Sequence, residues 1–333
     1  GRALQLCPNA VILEPDFALY QRLSQQTMAI LDDFSPSVER LGIDEAFVDV
    51  TGARRLLGGA VAIGTAIRER VAAETGLVAS VGASSTKFIA KLASGRAKPD
   101  GLLVVPADDV LAFLHPQPVS ALWGVGERTQ EKLERYGLRT VADVANTSQA
   151  TLVGWFGEAS GRHLHALAWA RDVRAVHERP RERSMGHNHT FGRDITDRDD
   201  LRSEILRLGT GVGRRLRAAG AVGRTVTLRV RFHDFRTITR SRTLPDPTDV
   251  TRVVVETAWA LLDELDDPTP VRLLGVQMSQ LSDPSDAGLL WDDSEDWGSA
   301  ERAVDAVHDR FGQLAVTPAS MLRRERKRED TGG

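Results

Sequence analysis

Apolar residues recur near the ~3.6-residue helical period through "DFALYQRLSQQTMAILDDF", where Leu19, Leu23, Met28 and Leu31 share one side; a helix is predicted there, after a short strand in "NAVIL". The rhythm then changes to alternation. "VERL" and "EAFVDV" flank the turn Gly42-Ile43-Asp44, with Ala46, Val48 and Val50 on one face and Glu45, Phe47 and Asp49 on the other, so a hairpin is predicted. "AVAIGTAIRERVAAETG" reads as a helix ended by Gly76, "LVASVGA" as a buried strand, "STKFIAKLASGRA" as a helix capped by Ser84 or Ser85, and "GLLVV" as a further strand. Residues 1–107 therefore form a mixed α/β domain.

From 108 to 178 the signal is helical and short-looped, which predicts an all-α domain. The polar, proline-containing "HERPRERS" follows, and its residues 179–183 mark a linker. Beyond it the pattern predicts a strand (184–190), a helix (199–219), two strands (225–232 and 237–244), a helix (249–264) and a strand (271–281). That β-α-β-β-α-β order over residues 184–282 is the ferredoxin-like signature. Residues 283–333, acidic around "DDSEDW" and basic in "RRERKRED", read as a flexible tail with one short helix near "ERAVDAVHDRFG". The fold class is thus α/β and multi-domain.

Composition narrows the function. The formal charge of -3 hides a basic body, because residues 171–242 hold 18 Arg, no Lys and 9 acidic residues. Such a patch suits a polyanion, with a solvated Arg-rich face as the alternative. Only 5 Lys accompany 38 Arg, and Lys87, Lys91 and Lys98 cluster. The single cysteine, Cys7, excludes a disulfide scaffold, fits a reducing cytoplasm, and is expected to be a small buried apolar residue. No apolar run approaches the roughly 20 residues of a membrane span, and no signal-peptide pattern opens the chain, so a cytoplasmic location is expected. The opening "GRALQLCPNAVIL" begins as if within an element, which suggests a fragment.

Four motifs carry candidate chemistry. Asp44 and Glu45 stand together at a strand entrance, where rigid backbone can hold hard oxygen ligands around Mg²⁺; hydrated turn acids are the plainer alternative. "SVGASSTKFIAKLASGRAKPDG" lacks the second glycine of a Walker A loop. Its Lys87 and Lys91 share a helix face, and Lys98 lies in a Pro-Asp-Gly turn that could aim an ammonium at a triphosphate. In "ALWGVGERTQEKLERYGLRTVADV", Gly124, Val125 and Gly126 open an amphipathic helix, the helix-hairpin-helix pattern whose amides can grip a phosphate; an ordinary αα-hairpin has similar letters. "GHNHTF" tempts a nuclease or metal reading, but His187 and His189 alternate on a strand without partner ligands, and "GTGVGRR" follows a helix, so neither is a site.

Together these stretches resemble the Y-family, translesion DNA polymerases, in the bacterial DNA polymerase IV branch, from about residue 7 to residue 282. "GIDEAFVDVTG" resembles the palm's acidic motif, "SVGASSTKFIAKLASGRAKPDG" its lysine-rich motif, and "LWGVGERTQEKLERYGLRTVADV" the thumb. "RERSMGHNHTF" and "VRLLGVQMSQL" resemble the outer strands of the little finger. The resemblance implies a mixed-sheet palm, a helix-hairpin-helix thumb and a ferredoxin-like little finger. It makes Asp44 and Glu45 catalytic metal ligands for two Mg²⁺, Lys98 a contact to the incoming deoxynucleoside triphosphate, and Gly124, Val125 and Gly126 holders of the DNA backbone. Arg240 and Arg242 on "TRSRTL" would contact phosphates of the primer-template duplex.

Gly42 stands where the family usually has Ser, and Phe47 where it often has Tyr. The family's first metal-binding Asp, steric-gate aromatic and most of its fingers are expected upstream of residue 1, so this chain is expected to bind DNA and polymerise poorly. A non-catalytic, clamp-recruited DNA-binding scaffold is the rival reading; the retained acidic pair favours an enzyme. A helix-hairpin-helix glycosylase or nuclease would have only Glu127 and Glu131 near Gly126. Leu289, Leu290 and Trp291 in "AGLLWDD" resemble a sliding-clamp-binding peptide without its usual leading Gln, and an amphipathic packing segment is the alternative. A monomer is expected.

Overall fold

In the computed structural model, which describes residues 2–177, 182–284, 294–312 and 315–316, contacts divide the chain into two units, Gly1–Pro180 and Arg181–Gly333. The first opens with α1 (Arg2–Leu6) and α2 (Phe17–Asp32), whose first turn is capped where Asp16 accepts the Leu19 N–H at 2.9 Å. β1 (Val38–Arg40) pairs antiparallel with β2 (Ala46–Val48), setting Glu39 opposite Phe47. The hairpin predicted from alternation is present. After α3 (Arg54–Leu57), α4 (Ala60–Thr75) stops at Gly76, whose φ of 71° is left-handed.

β3 (Val81–Ala83) and β4 (Leu102–Val104) run parallel, joined by α5 (Lys87–Arg96). A Cβ at Gly82 would lie 2.1 Å from the Ala90 carbonyl oxygen, so only glycine lets α5 lie this close to β3. Five short helices follow: α6 (Val110–Leu114), α7 (Glu127–Arg135), α8 (Val141–Asn146), α9 (Gln149–Phe156) and α10 (Glu158–Ala168). One core holds Ile30, Phe34, Ile63 and Val71; a second runs from Phe88 and Ile89 of α5 through Leu114 and Leu133 to Leu152 and Leu167. α5 thus belongs both to the α/β part and to the helical part.

Three local expectations are corrected. "NAVIL" forms no strand: among the described residues its one backbone bond is local, from the Ala10 N–H to the Cys7 carbonyl at 3.1 Å, and Val11 and Leu13 are 85% and 82% exposed. Cys7 is exposed beside this uncovered stretch. The cap of α5 is Thr86, whose hydroxyl accepts the Ile89 N–H, and not Ser84 or Ser85; Ser84 instead donates to the Val105 carbonyl.

The second unit contains β5 (Ser184–Ile195), α11 (Arg198–Ala218), β6 (Val222–Phe232), β7 (Thr237–Thr248), α12 (Thr251–Asp263) and β8 (Val271–Ser282). Its antiparallel sheet has the order β5-β8-β6-β7. Residues at helical spacing on α11 (Ile205, Leu208, Val212, Leu216) and on α12 (Val254, Ala258, Leu261) cover one face, burying Val226, Leu228, Val230, Leu274 and Val276. This is the predicted ferredoxin-like order.

The tail departs from expectation. α13 (Ser294–Phe311) is a longer helix than predicted and is fastened to α11 and α12 by charge. Arg217, whose side chain is 7% exposed, donates to Glu301 and Asp305, and Arg214 pairs with Asp309 at 2.8 Å. The cap position before α12 holds Val250, whose side chain cannot cap; Glu301 accepts the Thr251 N–H at 2.9 Å and does so instead. Arg252 lies over the Trp297 ring. Arg217→Met, which leaves two carboxylates without their shared cation, is expected to destabilise this unit by about 3 kcal/mol in urea denaturation of the chain.

Candidate active site and nucleic-acid interface

The β1–β2 turn presents Asp44 and Glu45 side by side, both exposed. The Glu45 carbonyl accepts the Leu41 and Gly42 amides at 2.9 and 3.3 Å, closing the loop that carries the pair. Lys91 of α5 reaches both Glu45 carboxylate oxygens at 2.8 and 2.9 Å. One turn earlier on α5, Lys87 donates to Glu39 at 2.5 Å and to the Ala175 carbonyl at 3.2 Å. The two lysines expected on one face of α5 share it and hold the acidic hairpin against that helix. Burial pushes the Glu39 carboxyl up, but Lys87 and the His177 amide outweigh it and hold the group below the ordinary glutamate value of 4.5.

Two adjacent carboxylates on a fixed turn suit a hard divalent cation in kind. They fall short in number: among the described residues no group of three His, Cys, Asp or Glu could hold an ion. Lys98 is exposed in the turn beyond the C-terminal end of α5.

The glycine turn is built for close approach. Gly124 has a φ of 90°, the Val125 N–H donates to the Leu122 carbonyl, and the extended Gly126 caps α7. A Cβ on Gly124 or Gly126 would meet nothing within 4 Å and both residues are exposed, so the turn is open on the side a side chain would fill. A cleft of about 500 Å³ is lined by Lys91, Arg96, Trp123, Gly124 and Val125, which brings the lysine that holds Glu45 and the glycine turn to one place.

In the second unit the sheet face away from the helices is open. The register aligns Thr225 with Thr243, Thr227 with Ser241, Arg229 with Thr239 and Arg231 with Thr237. Gln277, Ser279, Asn188 and Ser184 continue the rows on β8 and β5. No paired position on this face among the described residues is acidic. Arg240 and Arg242 align instead with Leu228 and Val226, on the helix side of edge strand β7, and Arg242 is paired with the exposed Glu264. "GHNHTF" is structural: His189 lies 2.7 Å from Glu204, itself buried and paired with Arg207, and burial with the Arg207 charge keeps the His187 ring below its ordinary pKa. Leu289, Leu290 and Trp291 lie outside the described residues.

Residues 1–95 match the impB/mucB/samB family, residues 182–289 that family's C-terminal domain, and residues 120–170 the DNA polymerase-iota thumb domain. Over 332 residues the chain is 41% identical to DNA polymerase IV 2 of Mesorhizobium japonicum, covering 95% of this chain and 80% of that protein. The chain belongs to the Y family of DNA polymerases. Within it, DNA polymerase IV of Streptomyces coelicolor is 45% identical over 87% of this chain and 61% of its own length. DNA polymerase IV of Desulfatibacillum aliphaticivorans is 39% identical over 96% and 82%. A Y-family polymerase chimera of Dbh and Dpo4 shares the fold, with a TM-score of 0.73 at 20% identity over 85% of this chain and 82% of that one. An insertion ternary complex of Dbh DNA polymerase gives 0.59 at 19% identity, covering 84% and 80%.

In this Y-family polymerase, unit one carries the palm and thumb, and unit two is the little finger. Dependence on a divalent metal is general to the family. No described helix is long and apolar enough to cross a membrane. Sequence reasoning missed Arg229 and Arg231; the alternation of "TVTLRVRF", which buries Val226, Leu228 and Val230, is the signal that puts them on the open face. It also missed Trp123, half-buried beside the glycine turn.

The Glu39 shift has a definite sign in stability. A carboxyl held below its unfolded value stabilises the fold above that value, and the contribution fades as pH falls through the lowered one. Glu39→Gln is therefore expected to flatten the acid limb of a urea-midpoint profile below the ordinary glutamate range, relative to the parent chain.

Proposed function

We propose that Asp44 and Glu45 are the palm carboxylates with which this polymerase holds divalent metal, Mg²⁺ in the physiological case, two ions in the complete centre. As a Y-family member the protein is a DNA-directed DNA polymerase that performs template-directed synthesis past lesions. Its substrates are primer-template DNA and deoxynucleoside triphosphates, and the primer 3′-hydroxyl displaces pyrophosphate from the α-phosphate. Bound metal supplies Lewis acidity, easing loss of the hydroxyl proton and offsetting charge on the phosphoryl oxygens.

The observation that carries the reading is the fixed, exposed Asp44–Glu45 turn tied through Lys91 to the cleft that also contains Gly124. Glu45, released from Lys91, offers oxygen donors beside those of Asp44. The exposed Lys98 would offer its ammonium to triphosphate oxygens. Gly124 and Gly126 offer main-chain N–H groups, with Val125, whose own N–H is held by the Leu122 carbonyl, fixing the turn between them; such contacts hold any sequence alike because they read phosphate and not bases. The open sheet face, with Arg229 and Arg231 and no acid at its paired described positions, suits the same polyanion, while Arg240 and Arg242 can reach phosphates at the sheet edge once Arg242 leaves Glu264, an exposed pair that costs little to break. A sliding clamp is the proposed partner of Leu289, Leu290 and Trp291, and a monomer the proposed state.

Primer extension by Asp44→Asn or Glu45→Gln chains is expected to fall by about 100-fold or more, with duplex affinity within about threefold of the parent. Extension that survives both changes overturns the assignment.

A further inference from the structure

Trp123 touches residues on both sides of the cleft yet holds neither metal nor DNA in the proposed mechanism. Its indole stacks on Phe47, with ring centroids 5.8 Å apart and planes 29° apart. Phe47 is buried, lies two residues beyond Glu45 and pairs across the hairpin with Glu39. Trp123 also immediately precedes Gly124. The Arg174 guanidinium lies 4.2 Å from the same indole centroid, and Lys91, bound to Glu45, lies 5.7 Å from it.

The stack is braced on its other members. Asp172 binds Arg174 through both carboxylate oxygens at 2.7 and 2.9 Å and accepts the Phe88 N–H at 3.1 Å, at the first turn of α5. Burial raises the Asp172 carboxyl, and Arg174 more than reverses this, so the acid stays ionised and the brace charged. Lys87 lies 5.1 Å from the Phe47 ring centroid while bound to Glu39. Close-packed rings cannot slide past each other without opening a void. A displacement of Gly124 therefore reaches β2 through two rings in contact.

We infer that Trp123 is a positioning residue that couples DNA engagement at Gly124–Gly126 to the placement of the Asp44–Glu45 turn. This rests on the proposed nucleic-acid role of the glycine turn. A purely structural tryptophan would stabilise the fold equally with and without DNA. A coupling tryptophan makes the hairpin respond to a ligand bound at the turn.

Hydrogen exchange of the full 333-residue chain, with and without a primer-template duplex, separates the two. In the parent, duplex should slow exchange at residues 124–130 and also at residues 45–49. Trp123→Leu should keep the first effect and lose about fivefold or more of the second, and Trp123→Phe should restore it. If Trp123→Leu does not fold, Phe47→Leu, which keeps the indole in place, should give the same loss. The inference is overturned if either leucine variant retains the duplex-dependent slowing at 45–49, or if the parent responds at 124–130 alone. A parent that shows no response at 124–130 overturns the proposed role of the glycine turn, and the coupling falls with it.

Discussion

A lysine ammonium with 9% of its side chain exposed must find acceptors, because an unpaired buried charge costs several kcal/mol. Lys87 finds Glu39 on β1 and the Ala175 carbonyl, and Glu39 in turn accepts the His177 amide. One cation thus joins the hairpin, α5 and the segment after α10. Each strand of the hairpin has only three residues, too few to hold its own place. Where Asp44 and Glu45 stand is decided beneath them, by this ion pair and by Phe47 beside it.

The two surfaces suited to DNA use different physics. In the first unit the turn at Gly124–Gly126 offers unhindered backbone, and positive side chains lie behind it, committed to carboxylates. In the second, hydroxyl ladders such as Thr225–Thr243 and Thr227–Ser241 and two arginines form a face with no acid at a paired position among the described residues. Main-chain amides, hydroxyls and guanidinium groups aimed at phosphates carry no base information. That indifference is what a polymerase needs when the template base is damaged.

Much of this architecture was legible in the sequence wherever the signal is local. Strict alternation revealed the hairpin and the strands of the little finger, and adjacent acids at a turn marked the candidate site. What escaped depends on partners far along the chain. Lys87 and Lys91 meet acids 48 and 46 residues away, and no periodicity reports such a meeting. The cap of α5 is Thr86, while Ser84 is turned to the Val105 carbonyl 21 residues further on, a partner no local pattern reports. The side on which Arg240 and Arg242 emerge is set by register with β6, one residue of slip being enough to reverse it. α13 resembled a loose tail because ionic anchors leave no hydrophobic pattern.

The carboxylate that completes the first turn of α12 comes from Glu301, fifty residues downstream of the amide it accepts. At roughly 5–20 residues per second of synthesis, that helix waits several seconds on the ribosome for its terminus. The little finger is therefore finished from its C-terminal side, and a nascent chain stalled before α13 presents a sheet and two helices with an open amide end and an unneutralised arginine.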